Sequence, residues 1–249
     1  MSSYVLFIFE GKVTEQNIAN NLCKYILNED DKVILRASYG FNLYQLHKEI
    51  SKDEYFDTYG IIVEQLKVRE NLRPEEIKVL DIDDPSKISD IYLFFDYDCH
   101  CSNADDVKLA QMLETFNDPQ DFGLLCVSYP MVEAIRHQKN TDYQEELYPR
   151  SQLNSYKNWV KKERELDKKY HNWGLYDSQI WVEIIKQHLA RANFLVNDTL
   201  TLPESVLKQD LIFSKQQDKH FEQNNVAVIS SFPLMLHDYY GKSLMGHFD

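Results

Sequence analysis

The first half of the chain alternates between two hydrophobic patterns. Short runs that are apolar on both faces have the length and texture of buried strands: "YVLFIF" (Tyr4–Phe9), "KVILRAS" (Lys32–Ser38), "IKVLDI" (Ile77–Ile82), "IYLFF" (Ile91–Phe95) and "GLLCVS" (Gly123–Ser128). Between them, apolar residues recur at helical spacing. Ile18, Leu22, Tyr25 and Ile26 mark one helix, and Leu43, Leu46 and Ile50 a short one after Gly40. "YGIIVEQLKVRENL" reads as a third helix closed by Pro74, and a further one lies around Val107 to Phe116. Such alternation predicts an α/β fold with a mostly parallel sheet flanked by helices.

The texture changes after about residue 140. "SYKNWVKKERELDKKY" places Tyr156, Trp159, Val160, Leu166 and Tyr170 along one helical face. "DSQIWVEIIKQHLARANFL" does the same with Ile180, Trp181, Ile184, Ile185, His188 and Leu189, where His188 reads as a core histidine. "NDTLTLPESVLKQDLIF" suggests one more helix, "NVAVISS" (Asn225–Ser231) a strand, and Pro233 opens a last short helix. The expected organisation is an α/β domain over residues 1–140 and a helical appendage over 141–249, with its final strand rejoining the core sheet.

Composition sharpens this picture. The 249 residues are 43% hydrophobic and 13% aromatic, enough for a sizeable core. No apolar run has the length of a membrane span, and "MSSYVLFIFEG" lacks the basic start of a signal peptide, so a cytoplasmic chain is expected. Cys23, Cys99, Cys101 and Cys126 fit free thiols, and "CHC" lacks the spacing of a zinc site. The formal net charge of −13 argues against an open, general nucleic-acid binder, because counterion release rewards basic surfaces.

Acidic residues gather where strands end. Ligands of open parallel sheets bind outside the carboxyl ends of the strands. There the first strand delivers Glu10-Gly11, and the strand at Ile91 delivers Asp96-Tyr97-Asp98. "SYPMVEAI" puts Glu133 in the first turn of a following helix if Pro130 is its first residue. On an extended strand Asp96 and Asp98 project to the same side, where two close carboxylates repel unless a cation sits between them. Hard oxygen donors of this kind suit Mg²⁺ or Mn²⁺.

"FIFEGKVTE" followed by "LFFDYD" resembles the Toprim domain, the fold that topoisomerases and primases share with OLD-family nucleases. The likeness covers roughly residues 4 to 140. "SYPMVE" is similar to the third block of small Toprim proteins of anti-phage systems, among them RloB-like proteins and the effector of PARIS-type systems. The resemblance implies a metal-dependent nuclease that hydrolyses phosphodiester bonds in an antiviral defence role. Glu10, Asp96 and Asp98 would hold Mg or Mn, Glu133 would join them in catalysis, and DNA or tRNA would be the target. The pattern departs at Glu15, which stands further from Glu10 than the second acidic residue common in OLD-like sequences.

Lys157, Lys161, Arg164 and Lys168 recur at spacings that would line one helix face, either as a solvated face or as a rail for a nucleic-acid backbone. No G-x-x-x-x-G-K-[ST] occurs, so the chain carries no Walker A loop of its own. The alternative expectations are a subunit regulated by an ATPase partner and a non-catalytic nucleic-acid-binding Toprim protein. Homo-oligomerisation is left open.

Overall fold

The computed structural model describes residues 3–27, 32–52, 57–97, 99–139 and 142–247. The chain divides into two compact units. One comprises Met1–Phe95 with Val107–Leu125, the other Asp96–Asp106 with Cys126–Asp249. The sequence places its change of texture near residue 140; in space the second unit already takes in the segment that begins at Asp96.

The first unit is built on β1 (Ser3–Phe9), whose residues Val5–Phe9 are fully buried. It pairs in parallel with β2 (Lys32–Ser38) on one side and β3 (Ile88–Asp96) on the other. With β5 (Gly123–Ser128) and the two-residue β4 (Asn117–Asp118), which runs antiparallel to β5, they make a five-stranded, mostly parallel sheet in the order β2-β1-β3-β5-β4. Helices flank it, as expected. α1 (Thr14–Tyr25) buries Ile18, Ala19 and Leu22. α2 (Leu43–Ile50) starts where Asn42 accepts from the Gln45 N–H, and α3 (Thr58–Lys67) where Asp57 accepts from Gly60. α5 (Asp106–Thr115) completes the set.

One expected strand is a helix. "IKVLDI" lies mostly in α4 (Pro74–Leu80), which packs on β2. Pro74 pre-sets the first helical turn, and the Glu76 carboxylate reaches back to the Arg73 N–H at 3.1 Å. Val79 is buried and Ile77 is 45% exposed, so the apolar run is the inner and outer side of a helix rather than two faces of a strand.

The second unit contains α6 (Leu153–Lys162), α7 (Ser178–Asn197), α8 (Gln209–Gln216) and α9 (Ser231–Tyr240), with a two-stranded antiparallel sheet of β6 (Leu147–Pro149) and β7 (Asn225–Ala227). The last strand therefore pairs with β6 rather than joining the five-stranded sheet. Ile229, just beyond it, exchanges two backbone hydrogen bonds of 2.8 Å with Tyr129 after β5. His188 is a core histidine, its Nδ1 accepting from the Ser230 N–H at 3.1 Å.

The basic stripe is not one helix face. α6 ends at Lys162 because the Glu163 carboxylate takes the Arg164 and Glu165 N–H groups, which would otherwise continue the helix. Lys157 and Lys161 lie on α6, Arg164 on the turn after it, and Lys168 on a separate 3-10 turn, Lys168–Tyr170.

Candidate functional site

Glu10 is the first residue beyond β1 and is half-buried. Its N–H donates to the Phe94 carbonyl of β3 at 3.0 Å, and its carbonyl accepts from the Gly40 N–H at 3.0 Å. The backbone at Glu10 is thus tied to both neighbouring strands' ends. The space beside Gly11 is filled by the Glu15 carboxylate. The Gly11 N–H donates to Glu15 Oε1 at 3.2 Å, and a Cβ there would stand 2.5 Å from Glu15 Oε2. Glu15 is buried and folds back over the glycine.

Asp96 is the last residue of β3 and belongs to the second unit. Its Oδ1 accepts from the Val132 N–H at 2.8 Å. That bond fixes Asp96 to the segment that carries Glu133, a 3-10 turn spanning Val132–Arg136. Met131 caps this turn, so Pro130 is not its first residue and Glu133 does not stand on an α-helix. Glu133 is 1% exposed and ion-paired, with Lys157 Nζ 3.0 Å from its Oε1. The structure therefore joins Asp96 to the Glu133 segment, and Glu133 to Lys157. Asp98 lies outside the described residues.

Between the two aspartates, Tyr97 does work the sequence did not disclose. It is buried, its N–H donates to the Ser128 carbonyl at 2.9 Å, and its ring stacks on Phe221 at 5.4 Å. Its hydroxyl donates to Asp106 Oδ1 at 2.9 Å and accepts from Arg150 Nη2 at 2.6 Å. Arg150 also donates to Asp106 Oδ2 at 3.1 Å and lies 3.9 Å from the Phe221 ring centre. Burial first, and then the Asp106 charge, push the Tyr97 phenol far above its ordinary value. It is a proton donor to Asp106, and a poor nucleophile. Alternation of side chains along the strand was the available signal: a large aromatic between two acids points the opposite way, into a core.

On the first unit, a carboxylate that sequence reasoning passed over organises the end of β2. Glu76 Oε1 accepts from the Ser38 N–H at 3.2 Å and the Ser38 hydroxyl at 2.7 Å, and pairs with Arg69 Nη1 at 3.1 Å. Burial alone would raise the Glu76 carboxyl. The hydrogen bonds from Ser38 and Arg73, with the Arg69 charge, outweigh it and hold the group below the usual carboxylate range. Glu76 is thus an acid whose bonding capacity is spent on the fold.

Carboxylate oxygens at Glu10 and Asp96 are the donor chemistry that Mg²⁺ or Mn²⁺ prefers. Among the described residues, no three His, Cys, Asp or Glu side chains are grouped closely enough to hold a metal ion. Nor is any described helix long and apolar enough to cross a membrane. Comparisons with protein-family models, with curated proteins and with solved structures return no match to this chain.

Proposed function

We propose that the protein is a metal-dependent nuclease of Toprim type that hydrolyses phosphodiester bonds in DNA or tRNA as an antiviral effector. One observation carries the reading: carboxylates leave the ends of two adjacent parallel strands, Glu10 after β1 and Asp96 at the last position of β3. Glu10, Asp96 and Asp98 would hold the metal. A bound divalent ion would polarise the scissile phosphate and lower the pKa of an attacking water. The chain's own part is positioning. The Val132 N–H fixes one Asp96 oxygen, and the bonds of the Glu10 backbone to Phe94 and Gly40 fix where its side chain starts. Glu133 would assist only after exchanging Lys157 for the metal or the water. The high pKa of Tyr97 favours hydrolysis over a tyrosine-linked intermediate at this position. Asp96→Asn keeps an acceptor for the Val132 N–H while removing charge. It and Glu10→Gln are expected to remain folded and to lose Mg²⁺-dependent cleavage of plasmid, single-stranded DNA and total tRNA. Undiminished cleavage by both variants would sink the proposal.

A further inference from the structure

Beside Glu10, the loop that follows β2 exposes a large apolar side chain. Phe41 is 53% exposed, yet the backbone beneath it is firmly held. The Tyr39 N–H donates to the Phe9 carbonyl at 2.7 Å, the Gly40 N–H to the Glu10 carbonyl at 3.0 Å, and Arg69 Nη2 donates to the Tyr39 carbonyl. The buried Tyr39 ring supports Phe41 edge-on, with centroids 5.6 Å apart. Gly40 has φ +83°, and a Cβ there would stand 3.0 Å from Arg69 Nη2 and 3.2 Å from Lys12 Cε. The Lys12 stem therefore passes over Gly40, the residue before Phe41. Among the described residues Lys12 has neither a hydrogen-bond nor an ion-pair partner, unlike Arg69, Lys32 and Lys157.

An exposed aromatic ring and an unpaired ammonium group whose stem crosses the residue before it match the two parts of a nucleotide. The ring offers a stacking surface for a base, and the ammonium a charge for a phosphate. In a chain with a formal net charge of −13, a lysine without a carboxylate partner is available to an external anion. We propose that Phe41 and Lys12 form a base-stacking subsite for single-stranded nucleic acid, with Phe41 carrying the base and Lys12 the adjoining phosphate. The subsite takes its place beside Glu10 from the nuclease reading, but its binding role stands apart from cleavage. It would hold an unpaired nucleotide next to the carboxylate rim, and so would favour looped or single-stranded targets over intact duplex.

The test uses the full chain in EDTA, so that binding is read without cleavage. Short single-stranded DNA and RNA oligonucleotides carrying one 2-aminopurine are titrated by anisotropy and by 2-aminopurine emission. Phe41→Ala should weaken binding by roughly ten- to a hundredfold and abolish the stacking quench, while Phe41→Trp keeps both. Lys12→Gln should lower the salt dependence by about one released ion. The DNA and RNA arms show which backbone is preferred. Phe41→Ala binding within roughly twofold of the parent, or a parent that binds neither oligonucleotide, overturns the subsite. Mg²⁺-dependent cleavage is scored separately. Phe41-dependent binding without cleavage by the parent defeats the nuclease reading alone, and cleavage by a parent whose Phe41→Ala variant binds unchanged defeats the subsite alone.

Discussion

Tyr97→Phe separates the structural tyrosine from the aspartates beside it. The substitution deletes one hydrogen bond donated to Asp106 Oδ1 at 2.9 Å and one accepted from Arg150 Nη2 at 2.6 Å. A hydrogen bond to a charged group contributes about 1.5–3 kcal/mol. The full value of both is not expected. Arg150 and Asp106 keep each other at 3.1 Å, and their side chains are 23% and 31% exposed, so water re-solvates what the hydroxyl releases. The ring itself stays packed against Tyr129, Phe213 and Phe221. The net loss should be about 1–2 kcal/mol. Tyr97→Ala, which empties the ring's site as well, should cost about 3–5 kcal/mol. Urea unfolding of the parent, Tyr97→Phe, Asp106→Ala and the double variant gives both the loss and the coupling between the two residues. Cleavage assays on the same proteins give the functional half, where Tyr97→Phe should retain Mg²⁺-dependent activity. Parental stability in Tyr97→Phe would show that the hydroxyl network contributes nothing. A stable Tyr97→Phe without cleavage would make the phenol a participant in the chemistry and refute its assignment as a scaffold group.

Three further outcomes follow from buried charge. Arg69→Ala leaves the Glu76 carboxylate buried without its cation and should destabilise the first unit by about 3 kcal/mol, read by denaturant unfolding against an Arg69→Ala, Glu76→Gln double variant. Burial holds His137 and His188 below their ordinary pKa of 6.5, so the unfolded chain binds more protons below that pH. Their contribution to stability is complete above about pH 6.5 and should decline as pH falls below it; a thermal midpoint that is flat from pH 7 to 5 would contradict this. Lys157→Met strips the buried Glu133 of an ion partner, but the lysine is 54% exposed, so the discounted loss is about 1 kcal/mol. If Glu133 exchanges Lys157 for the metal, Mn²⁺ should restore the lost stability to this variant, and no recovery would show that Glu133 does not turn to the metal.

The alternation of strands and helices was legible wherever a segment's burial was uniform. β5 is buried throughout and β1 from Val5 to Phe9, and β2 was found at its expected limits. It failed at Ile77–Ile82, where the local pattern suits a strand and the deciding signal lies upstream in Pro74 and Glu76. The stripe from Lys157 to Lys168 failed for a related reason: spacing alone cannot register that Glu163 diverts the next amides. Site residues divide in the same way. The places of Glu10 and Asp96 at strand ends could be read because strand ends are visible in sequence. The pairing of Arg150 with Asp106 and Tyr97 spans 44 and 53 residues, and that of Glu76 with Ser38 spans 38, distances over which no periodicity operates.

Glu76 also explains how the rim beside Glu10 can display an aromatic ring. A loop with an exposed phenylalanine would ordinarily gain by folding the ring back onto apolar surface. Here the backbone lacks that freedom. The carboxylate holds both donors of Ser38 at the end of β2 and orients Arg69, and Arg69 in turn holds the Tyr39 carbonyl. The next two amides are committed to Phe9 and Glu10. From a buried acid to the foot of Phe41, each step is a hydrogen bond, two of them to the Arg69 cation. Its charge keeps the donors strong and its burial keeps water from replacing them. An acidic side chain near a strand end is thus no ligand by position alone. Glu76 accepts from four donors, the Ser38 N–H and hydroxyl, Arg69 Nη1 and the Arg73 N–H, and what it stabilises is the geometry from which Glu10, Lys12 and Phe41 project.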